Sequence, residues 1–280
     1  MRFGDLLLMS AGSLWKRKVR TILTVLGVVI GTASIVVMVS LGLGLNRSTM
    51  QDIEDNGGLT SIEVQEADHY MDSGTTDKDQ KRLDDELVET IRRHPHVSLV
   101  SPVLSVSVLA KCGVYENYLE VRGMSGEALE AMDFPLADGT VPVSEDELAF
   151  LYGNQVLAGF SNSRTGSGYW MDGTVPDIDL EKDSVFLIYD MDSYYSASDH
   201  GDGQQQGGSV KPPKKYLAQY AGLVDGGMDT YKSYSWGVYC NIVPLEAHLK
   251  RIFKGKAIPG QPTTASGKPY KELYYNEIYV

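Results

Sequence analysis

An uninterrupted apolar run near the start of the chain is the strongest pattern in the sequence. Residues 21–45 read TILTVLGVVIGTASIVVMVSLGLGL, and these 25 positions contain no charged side chain. With a rise of about 1.5 Å per residue, such a helix exceeds the ~30 Å hydrocarbon core of a bilayer. The run is too long for a cleavable signal peptide, and a buried soluble helix would show a polar stripe. The pattern therefore predicts a transmembrane helix over residues 21–45.

The charged residues that flank this run predict its orientation. Residues 1–20 hold five Lys or Arg side chains and one acidic side chain, whereas the 20 residues after Leu45 hold one basic side chain, Arg47. Because basic flanks remain cytoplasmic, the sequence predicts a cytoplasmic N-terminus and an extracytoplasmic body, anchored in the plasma or inner membrane. The basic residues beside the run that set this topology are Lys16, Arg17, Lys18 and Arg20.

Two features of this N-terminal region indicate further contacts. Gly27 and Gly31 are spaced so that both lie on one face of the helix, where small residues let a second membrane helix approach closely. Glycine is also common in membrane helices without such a role. Residues 1–20 repeat apolar positions at spacings of three and four, which predicts either an amphipathic basic head on the cytoplasmic face or an interfacial collar.

Beyond the run, shorter patterns predict a body that mixes helices and strands. The helix continues as a stalk over residues 46–58, until a glycine pair ends it. Apolar alternation predicts strands, including a hairpin around Gly113, and a spacing of three to four predicts helices capped by Asp84 and Ser144. The predicted strands are residues 61–65, 97–112, 114–122, 155–160, 185–189, 216–224, 236–243 and 273–280, and the predicted helices are residues 84–94, 126–132, 144–151 and from 244 onward. The predicted fold class is α+β.

Composition and charge narrow the functional class. The 280 residues are 42% hydrophobic and 22% charged, which is typical of a globular protein and argues against a polytopic membrane bundle. A formal net charge of −12 repels phosphate backbones, so nucleic acid is not an expected partner. Residues 196–213 are rich in Gly, Gln and Pro, which predicts a flexible loop.

The sequence contains no complete catalytic, cofactor or metal motif. Residues 260–268 read GQPTTASGK, but the spacing of the glycines is wrong for a phosphate-binding loop and Pro269 replaces its Ser or Thr. His94 and His96 flank a proline without further ligands at metal-binding spacing. The acidic residues of 177–183 lack the glycine that an EF-hand loop requires. These patterns favour a protein that is not an enzyme and binds no cofactor or metal of its own.

Cysteine and tyrosine each leave two interpretations open. Cys112 and Cys240 are the only cysteines, and both lie in predicted strands. A disulfide between them fits an oxidising compartment, but the sequence does not show that the two strands are neighbours, which favours two separate buried thiols. Many of the 17 tyrosines fall in the second half of the chain, where they indicate either an aromatic surface for a peptide or glycan, or strand propensity alone.

The apolar run and its basic flank resemble a known family. The matching residues are Lys18, Arg20, Thr21, Leu23, Thr24, Leu26, Gly27, Ile30 and Gly31. In this pattern the segment resembles the first transmembrane helix of the MacB-like and FtsX-like permeases of ATP-binding-cassette (ABC) transporters. Ser61–Val64, Val121–Gly123 and Asn276–Val280 are similar to strands of the extracytoplasmic domain of that family.

The resemblance implies a domain organisation. After the head (1–20), the span (21–45) and the stalk (46–58), residues 59–124 and 236–280 would form a porter-like subdomain, and residues 125–235 an inserted strand-rich subdomain. The expected architecture is therefore a transmembrane helix with a stalk, followed by a mixed α+β extracytoplasmic domain of two subdomains. Family permeases return to the membrane with three more helices, so the chain is expected to be the N-terminal part of a longer permease.

The resemblance also implies a function. The chain would couple ATP hydrolysis by a separate cytoplasmic ABC ATPase, which binds the ATP, to an extracytoplasmic domain for export or mechanotransmission. Its basic head would contact that ATPase, and the other expected partners are a second permease copy, a membrane-fusion or other envelope protein, and membrane lipid. The alternative function is a single-span, membrane-anchored extracytoplasmic binding module, and an extracytoplasmic enzyme comes third.

Overall fold

One helix forms the N-terminal part of the computed structural model, which describes residues 18–55, 60–65, 82–198, 213–228, 230–262 and 273–280. This helix, α1 (Lys18–Asp55), belongs to a first unit, Met1–Leu59, and a second unit comprises Thr60–Val280. Its Lys18–Gln51 part is long and apolar enough to cross a membrane. The helix predicted over residues 21–45 is therefore confirmed, and it continues without interruption to Asp55.

Hydroxyl side chains in α1 form hydrogen bonds within the helix. The Thr24 hydroxyl donates to the Arg20 carbonyl at 2.8 Å, and the Ser34 hydroxyl donates to the Ile30 carbonyl at 2.8 Å. Because hydrocarbon offers no hydrogen-bond partners, polar groups in a membrane helix must be satisfied in this way. The polar residues of the run are thus compatible with a membrane span.

The described part of the second unit contains five further helices and eleven strands. The helices are α2 (Asp85–Arg92), α3 (Gly126–Ala131), α4 (Tyr169–Asp172), α5 (Met191–Ser198) and α6 (Ile242–Phe253). The strands are β1 (Glu63–Gln65), β2 (Ser101–Cys112), β3 (Tyr115–Met124), β4 (Leu136–Gly139), β5 (Ala149–Tyr152), β6 (Ser161–Asn162), β7 (Phe186–Ile188), β8 (Tyr216–Leu217), β9 (Gln219–Val224), β10 (Val238–Asn241) and β11 (Glu277–Tyr279). This mixture of helices and sheet confirms the α+β fold class.

The hairpin of β2 and β3 is the centre of the sheet. Its turn follows Cys112, which pairs with Tyr115, and contains Gly113 at a φ of 58°. Glycine is the residue that adopts this left-handed conformation without strain, so it closes a two-residue hairpin turn. Nine residue pairs join the two strands, from Cys112 with Tyr115 to Leu104 with Gly123. The predicted hairpin is confirmed.

The other strands extend the sheet on both sides of the hairpin. The order is β1-β11-β2-β3-β10-β5-β9-β4, with β6 beside β3, β7 beside β2, and β8 beside β7. Strand β10 runs parallel to β3 over Val121–Met124, and β6 pairs antiparallel with Tyr115 and Glu116. Strand β1, the first strand after α1 along the chain, pairs with β11, which in turn pairs with β2.

Helix α6 packs against β3 where that strand carries a glycine. A Cβ atom at Gly123 would lie 2.6 Å from a Leu245 methyl group and 3.2 Å from the Ile242 Cα atom, so no larger residue fits without movement. Leu245 and Leu249 are completely buried in the main hydrophobic core, which includes residues of β2, β3, β5, β7 and β10. The apolar face of α6 thus fixes the helix on the sheet.

A predicted helix, a predicted strand and the predicted start of a helix differ from the structure. Residues 144–151, predicted as a helix, form a loop that leads into β5, because the Ser144 hydroxyl caps a local turn and Ala149–Tyr152 pairs with β9 and β10. Residues 155–160, predicted as a strand, form a 3₁₀ turn at Leu157–Gly159. Helix α6 begins two residues before the predicted start, because the Asn241 side chain accepts a hydrogen bond from the Val243 N–H and ends β10 there.

Several other elements appear where they were predicted. The Asp84 side chain caps α2 by accepting a hydrogen bond from the Leu87 N–H at 2.9 Å. Helix α3 and strands β1, β7, β9 and β11 lie within their predicted ranges. The division of the body into two subdomains stays a prediction; strands between residues 125 and 235 are hydrogen-bonded to β2, β3 and β10. Most of the predicted head (1–20) and flexible loop (196–213) lies outside the described residues.

Candidate functional site

A gap along the edge of β3 forms the candidate functional site. On one side, β3 pairs with β2 along its whole length. On the other side, it pairs with β6 at Tyr115 and Glu116 and with β10 from Val121 onward, which leaves Asn117–Glu120 without a strand partner there. The gap opens into a groove of about 360 Å³. We call it the β3 groove; its lining residues are Asn117, Tyr118, Leu119, Glu120, Arg122, Val156, Ser233, Trp236, Gly237 and Tyr239.

Exposed aromatic side chains stand at the rim of the β3 groove. Tyr118 is 64% exposed and its ring stacks on that of Tyr195, with which it also shares a hydroxyl–hydroxyl hydrogen bond. Trp236 is 37% exposed and contacts Trp170, with ring centroids 5.8 Å apart. Trp170 itself is 60% exposed. Large aromatic residues exposed together on a folded domain are typical of a binding surface.

One amide side chain, Asn117, and two glycines, Gly159 and Gly237, hold the wall of the groove in place. The Asn117 Nδ2 atom donates to the Val156 carbonyl at 2.9 Å and so ties the 3₁₀ turn to β3. A Cβ atom at Gly159 would lie 2.6 Å from the Asn117 amide, and one at Gly237 would lie 2.6 Å from the Tyr239 ring. Larger residues at these glycines would therefore push the wall out of place.

A half-buried ion pair lies at one end of the groove. The Arg122 guanidinium donates to both carboxylate oxygens of Glu277, at 2.7 and 2.9 Å, and thereby connects β3 to β11 across β2. Gln65 of β1 also donates to the Glu277 carboxylate, at 3.2 Å. Burial raises the pKa of the Glu277 carboxyl, and Glu63 and Glu120 act in the same direction, whereas the charge of Arg122 acts to lower it. The positive charge of Arg122 thus offsets the repulsion between Glu277 and its neighbours Glu63 and Glu120.

The phenol beside this ion pair is held in its neutral form. Burial raises the pKa of Tyr239 to about 12, although Arg122 acts to lower it. A phenol with that pKa stays protonated at neutral pH, so Tyr239 contributes an uncharged wall to the groove.

A second polar cluster lies near the turn of the hairpin. The Lys111 ammonium and the Tyr194 hydroxyl both hydrogen-bond the Glu116 carboxylate, and Lys111 also donates to the Tyr194 hydroxyl at 3.0 Å. Burial acts to raise the pKa of Glu116, but the hydrogen bonds from Lys111 and Tyr194 outweigh it and lower that pKa. The three groups satisfy one another, so this cluster attaches α5 to the hairpin.

The histidines and acidic residues singled out in the sequence do not form a metal site in the described residues. Within the described ranges, no group of three or more His, Cys, Asp or Glu side chains is arranged to hold a metal ion. The His94 and His96 rings lie 6.2 Å apart at the exposed end of α2. In the loop 177–183, Asp179 accepts hydrogen bonds from the backbone of Glu181 and Lys182, which is a turn-forming role.

The cysteines are two separate buried thiols. Cys112 pairs with Tyr115 at the start of β3, whereas Cys240 pairs with Gly123, eight positions further along that strand, and both thiols are free. The interpretation as a disulfide is therefore corrected. Burial raises the pKa of both thiols, and Asp183 acts in the same direction on Cys112. Since the thiolate is the reactive form, neither is expected to react in the folded protein.

The predicted membrane residues lie in α1 or before it. A Cβ atom at Gly27 or Gly31 would meet nothing within 4 Å, so the helix face that they share is open to a partner helix. Lys18 and Arg20 lie in the exposed first turn of α1. Lys16 and Arg17 lie outside the described residues. The packing and coupling roles of these residues stay predictions.

The β3 groove was not found from the sequence. Its gap exists because β6 and β10, which are distant in sequence, reach only part of β3. The tyrosine-rich second half was a weak signal, since Tyr195 and Tyr239 do belong to the groove or its rim. The tryptophans were the better signal, because two of three in the chain meet there.

Comparisons with known proteins identify relatives of the chain. Residues 21–161 match the family model of the MacB-like periplasmic core domain. The macrolide export ATP-binding/permease protein MacB of Agrobacterium fabrum is 26% identical over 151 residues, which cover 53% of this chain and 22% of that protein. MacB 1/2 of Paracoccus denitrificans is 28% identical over 166 residues, which cover 55% of this chain and 24% of that protein. The chain thus spans less than a quarter of these relatives.

A solved structure was also matched. The periplasmic region of MacB from Actinobacillus actinomycetemcomitans aligns over 82% of this chain and 78% of its own, at 11% identity and a TM-score of 0.42.

Proposed function

The chain belongs to the MacB-like periplasmic core domain family, and on that premise we propose that it is a permease subunit of a MacB- or FtsX-type ABC transporter. In this role it couples ATP hydrolysis by a separate cytoplasmic ATPase to movement of an extracytoplasmic domain, for export or mechanotransmission. The observation that carries the proposal is the match of residues 21–161, which includes both the apolar helix and the first strands of the body. In this proposal the ATPase binds the ATP and supplies the catalytic centre.

The length and composition of α1 support the role of a mechanical link. A helix of 38 residues without proline is about 57 Å long at ~1.5 Å per residue. It is therefore longer than the hydrocarbon core of a bilayer, about 30 Å thick, by about five turns. Its Gly27 and Gly31 face packs against another membrane helix, in a permease dimer or in the same subunit. The basic residues Lys16, Arg17, Lys18 and Arg20 keep the N-terminus cytoplasmic, where it contacts the ATPase.

The order of the strands provides a route for force into the body. Strand β1 follows α1 along the chain and pairs only with β11 among the described strands. Strand β11 is held to β2 by three residue pairs and to β3 by the Arg122–Glu277 ion pair. A displacement of β1 is therefore transmitted through β11 to the central hairpin. This makes Arg122 and Glu277 structural residues of the proposed coupling.

A single-span anchored binding module is the alternative function. The exposed aromatic rim of the β3 groove favours it, because such a surface binds partners without any ATPase. The two functions share the anchor and the extracytoplasmic body. They differ in whether a cytoplasmic ATPase associates with the chain.

The predicted membrane topology can be tested by labelling cysteines introduced on either side of the membrane, because the two native cysteines are buried. We expect that a membrane-impermeant maleimide leaves the wild-type chain unlabelled in intact cells, because Cys112 and Cys240 are buried. Glu145→Cys, at an exposed position of the body, is expected to be labelled fully. Ser13→Cys is expected to be labelled only after the membrane is permeabilised. Labelling of Ser13→Cys but not of Glu145→Cys in intact cells would show that the body lies in the cytoplasm, and it would overturn the proposal.

A further inference from the structure

We propose that the β3 groove binds an extended, basic peptide segment of an extracytoplasmic partner protein, which adds as a short strand to the free edge of β3. The inference rests on the proposed function only in placing the body outside the cytoplasm. Strand addition needs a backbone edge without a partner, side-chain pockets beside it and a matching charge. The described residues provide all three.

The backbone of β3 offers its free edge at Tyr118 and Glu120. In an antiparallel hairpin, alternate residues direct their N–H and C=O groups towards and away from the partner strand. The Val114 carbonyl accepts from the Ser163 N–H, on the side away from β2, and Glu116 pairs with β6 on that same side. By this alternation the backbone groups of Tyr118 and Glu120 also point away from β2. They lie in the stretch where β3 has no partner on that side.

The length of the gap limits the segment that can dock. Residues Asn117–Glu120 span about 13 Å at ~3.3 Å per residue, which accommodates about four residues of an added strand. The groove of about 360 Å³ lies at the lower end of the range for ligand-binding clefts. A short, extended segment therefore fits the gap, whereas a helix about 10 Å wide does not.

The aromatic rim offers contacts to alternate side chains of such a strand. Tyr118 lies at the free edge itself, and Trp236 also lines the groove, where its ring contacts that of Trp170. Trp and Tyr side chains dominate the affinity of many protein interfaces because they bury a large area with few rotatable bonds. Each ring face also attracts a Lys or Arg side chain by a cation–π contact.

The charge of the groove favours a basic segment. The Glu120 carboxylate is exposed and makes no hydrogen bond within the part of the chain that the structure describes. Arg122 also lines the groove, and it forms its ion pair with Glu277, although its charge acts on Glu120 as well. The groove therefore offers a carboxylate to a ligand, and the chain as a whole carries a net charge of −12. A Lys or Arg beside Glu120 complements this charge, and an acidic segment is repelled.

The test is selection of peptides against the full chain in lipid nanodiscs. A displayed library of random nine-residue peptides is panned, and the affinity of the enriched peptides is measured by fluorescence anisotropy. We expect peptides with Lys or Arg at alternate positions of an extended pattern. Methylation of alternate backbone nitrogens is expected to abolish their binding, because the added strand loses its hydrogen bonds.

Variants of the groove decide whether these peptides bind there. Trp236→Ala and Tyr118→Ala are each expected to weaken binding about 30-fold, as for central aromatic residues of interfaces. Glu120→Lys is expected to weaken it at least about tenfold through charge reversal. Tyr231→Ala and Glu145→Lys, which change an exposed tyrosine and an exposed acid outside the groove lining, are the matched controls and should leave affinity unchanged.

Three results would overturn the proposal. They are a selection that enriches no peptide, enriched peptides whose affinity the groove variants do not change, and binding that survives backbone methylation. Oligosaccharides that bind in an array and lose binding in Trp236→Ala, with no peptide enriched, would assign the groove to glycans. These outcomes are independent of the ATPase, so failure of the peptide site and failure of the proposed coupling are distinguishable.

Discussion

Replacing Gly31 by glutamate is expected to abolish the ATP-dependent movement of the extracytoplasmic body while ATP hydrolysis by the partner continues. A carboxylate near the middle of the span costs about 3 kcal/mol in hydrocarbon, and on this face it also blocks the close approach of a partner helix. In the structure a Cβ atom at Gly31 meets nothing within 4 Å, so the helix itself tolerates a side chain there. The expected loss is therefore in contacts with another helix.

The measurement compares two glutamates at nearly the same depth. Val29→Glu lies about 200° around α1 from Gly31, at ~100° per residue, so it imposes a similar cost on insertion but leaves the Gly27 and Gly31 face intact. Spin labels at Glu145→Cys in the two copies of a permease dimer report ATP-dependent distance changes. We expect the change in the otherwise unaltered chain and in Val29→Glu, and none in Gly31→Glu. The same ATP-dependent distance change in both glutamate variants would mean that the Gly27 and Gly31 face does not pack against a partner helix during coupling.

The second large effect is expected at the Arg122–Glu277 ion pair. Arg122→Met leaves the half-buried Glu277 carboxylate beside Glu63 and Glu120 without its cation. Removing one partner of such a pair costs more than removing both, because the remaining charge stays desolvated. We expect Arg122→Met to lower the free energy of unfolding of the body by about 2 kcal/mol, and Arg122→Met/Glu277→Met to recover at least half of that loss.

Urea unfolding of the full chain in detergent, followed by tryptophan fluorescence, measures this difference. Lys250→Met is the control, because Lys250 and Glu246 form an exposed pair one helical turn apart, for which we expect a change below about 0.5 kcal/mol. If Arg122→Met/Glu277→Met is as unstable as Arg122→Met, the unpaired Glu277 carboxylate is not the cause of the loss of stability. If Arg122→Met has the same free energy of unfolding as the unaltered chain, the ion pair does not hold β11 to β3 and has no part in the proposed force route.

The sequence predicted best those elements whose pattern is local. The long apolar helix, the hairpin around Gly113 and the α2 cap at Asp84 each depend on residues within a few positions, and each is confirmed. A charge-free run of 25 residues and a glycine turn leave few alternative structures. The α+β class followed from these elements and their spacing.

Two of the wrong predictions depend on contacts between distant segments. Ser144 with Glu147 matches a helix-capping pattern, but residues 149–152 pair with β9 and β10, which lie far along the chain. The apolar alternation of residues 155–160 fits a strand, yet Asn117 of β3 holds this segment as a turn through the Val156 carbonyl. Local propensity was overridden in both cases by tertiary pairing.

The candidate site was out of reach of the sequence for the same reason. A gap in strand pairing is a property of three strands together, and nothing in the segment YENYLEVRGM shows where β6 stops and β10 begins. The Arg122–Glu277 ion pair likewise joins residues 155 positions apart. The sequence did suggest an aromatic surface, although it could not show which rings share one groove.

The permease role is tested most directly by purifying the full-length protein, tagged in its native membrane, under mild detergent conditions. The associated proteins are then identified by mass spectrometry. A permease subunit is expected to be recovered with a stoichiometric ABC ATPase whose rate of ATP hydrolysis changes when the chain is present. Recovery of the chain without any ATPase, from membranes where it is inserted and folded, would contradict the permease role and leave the anchored binding module as the function.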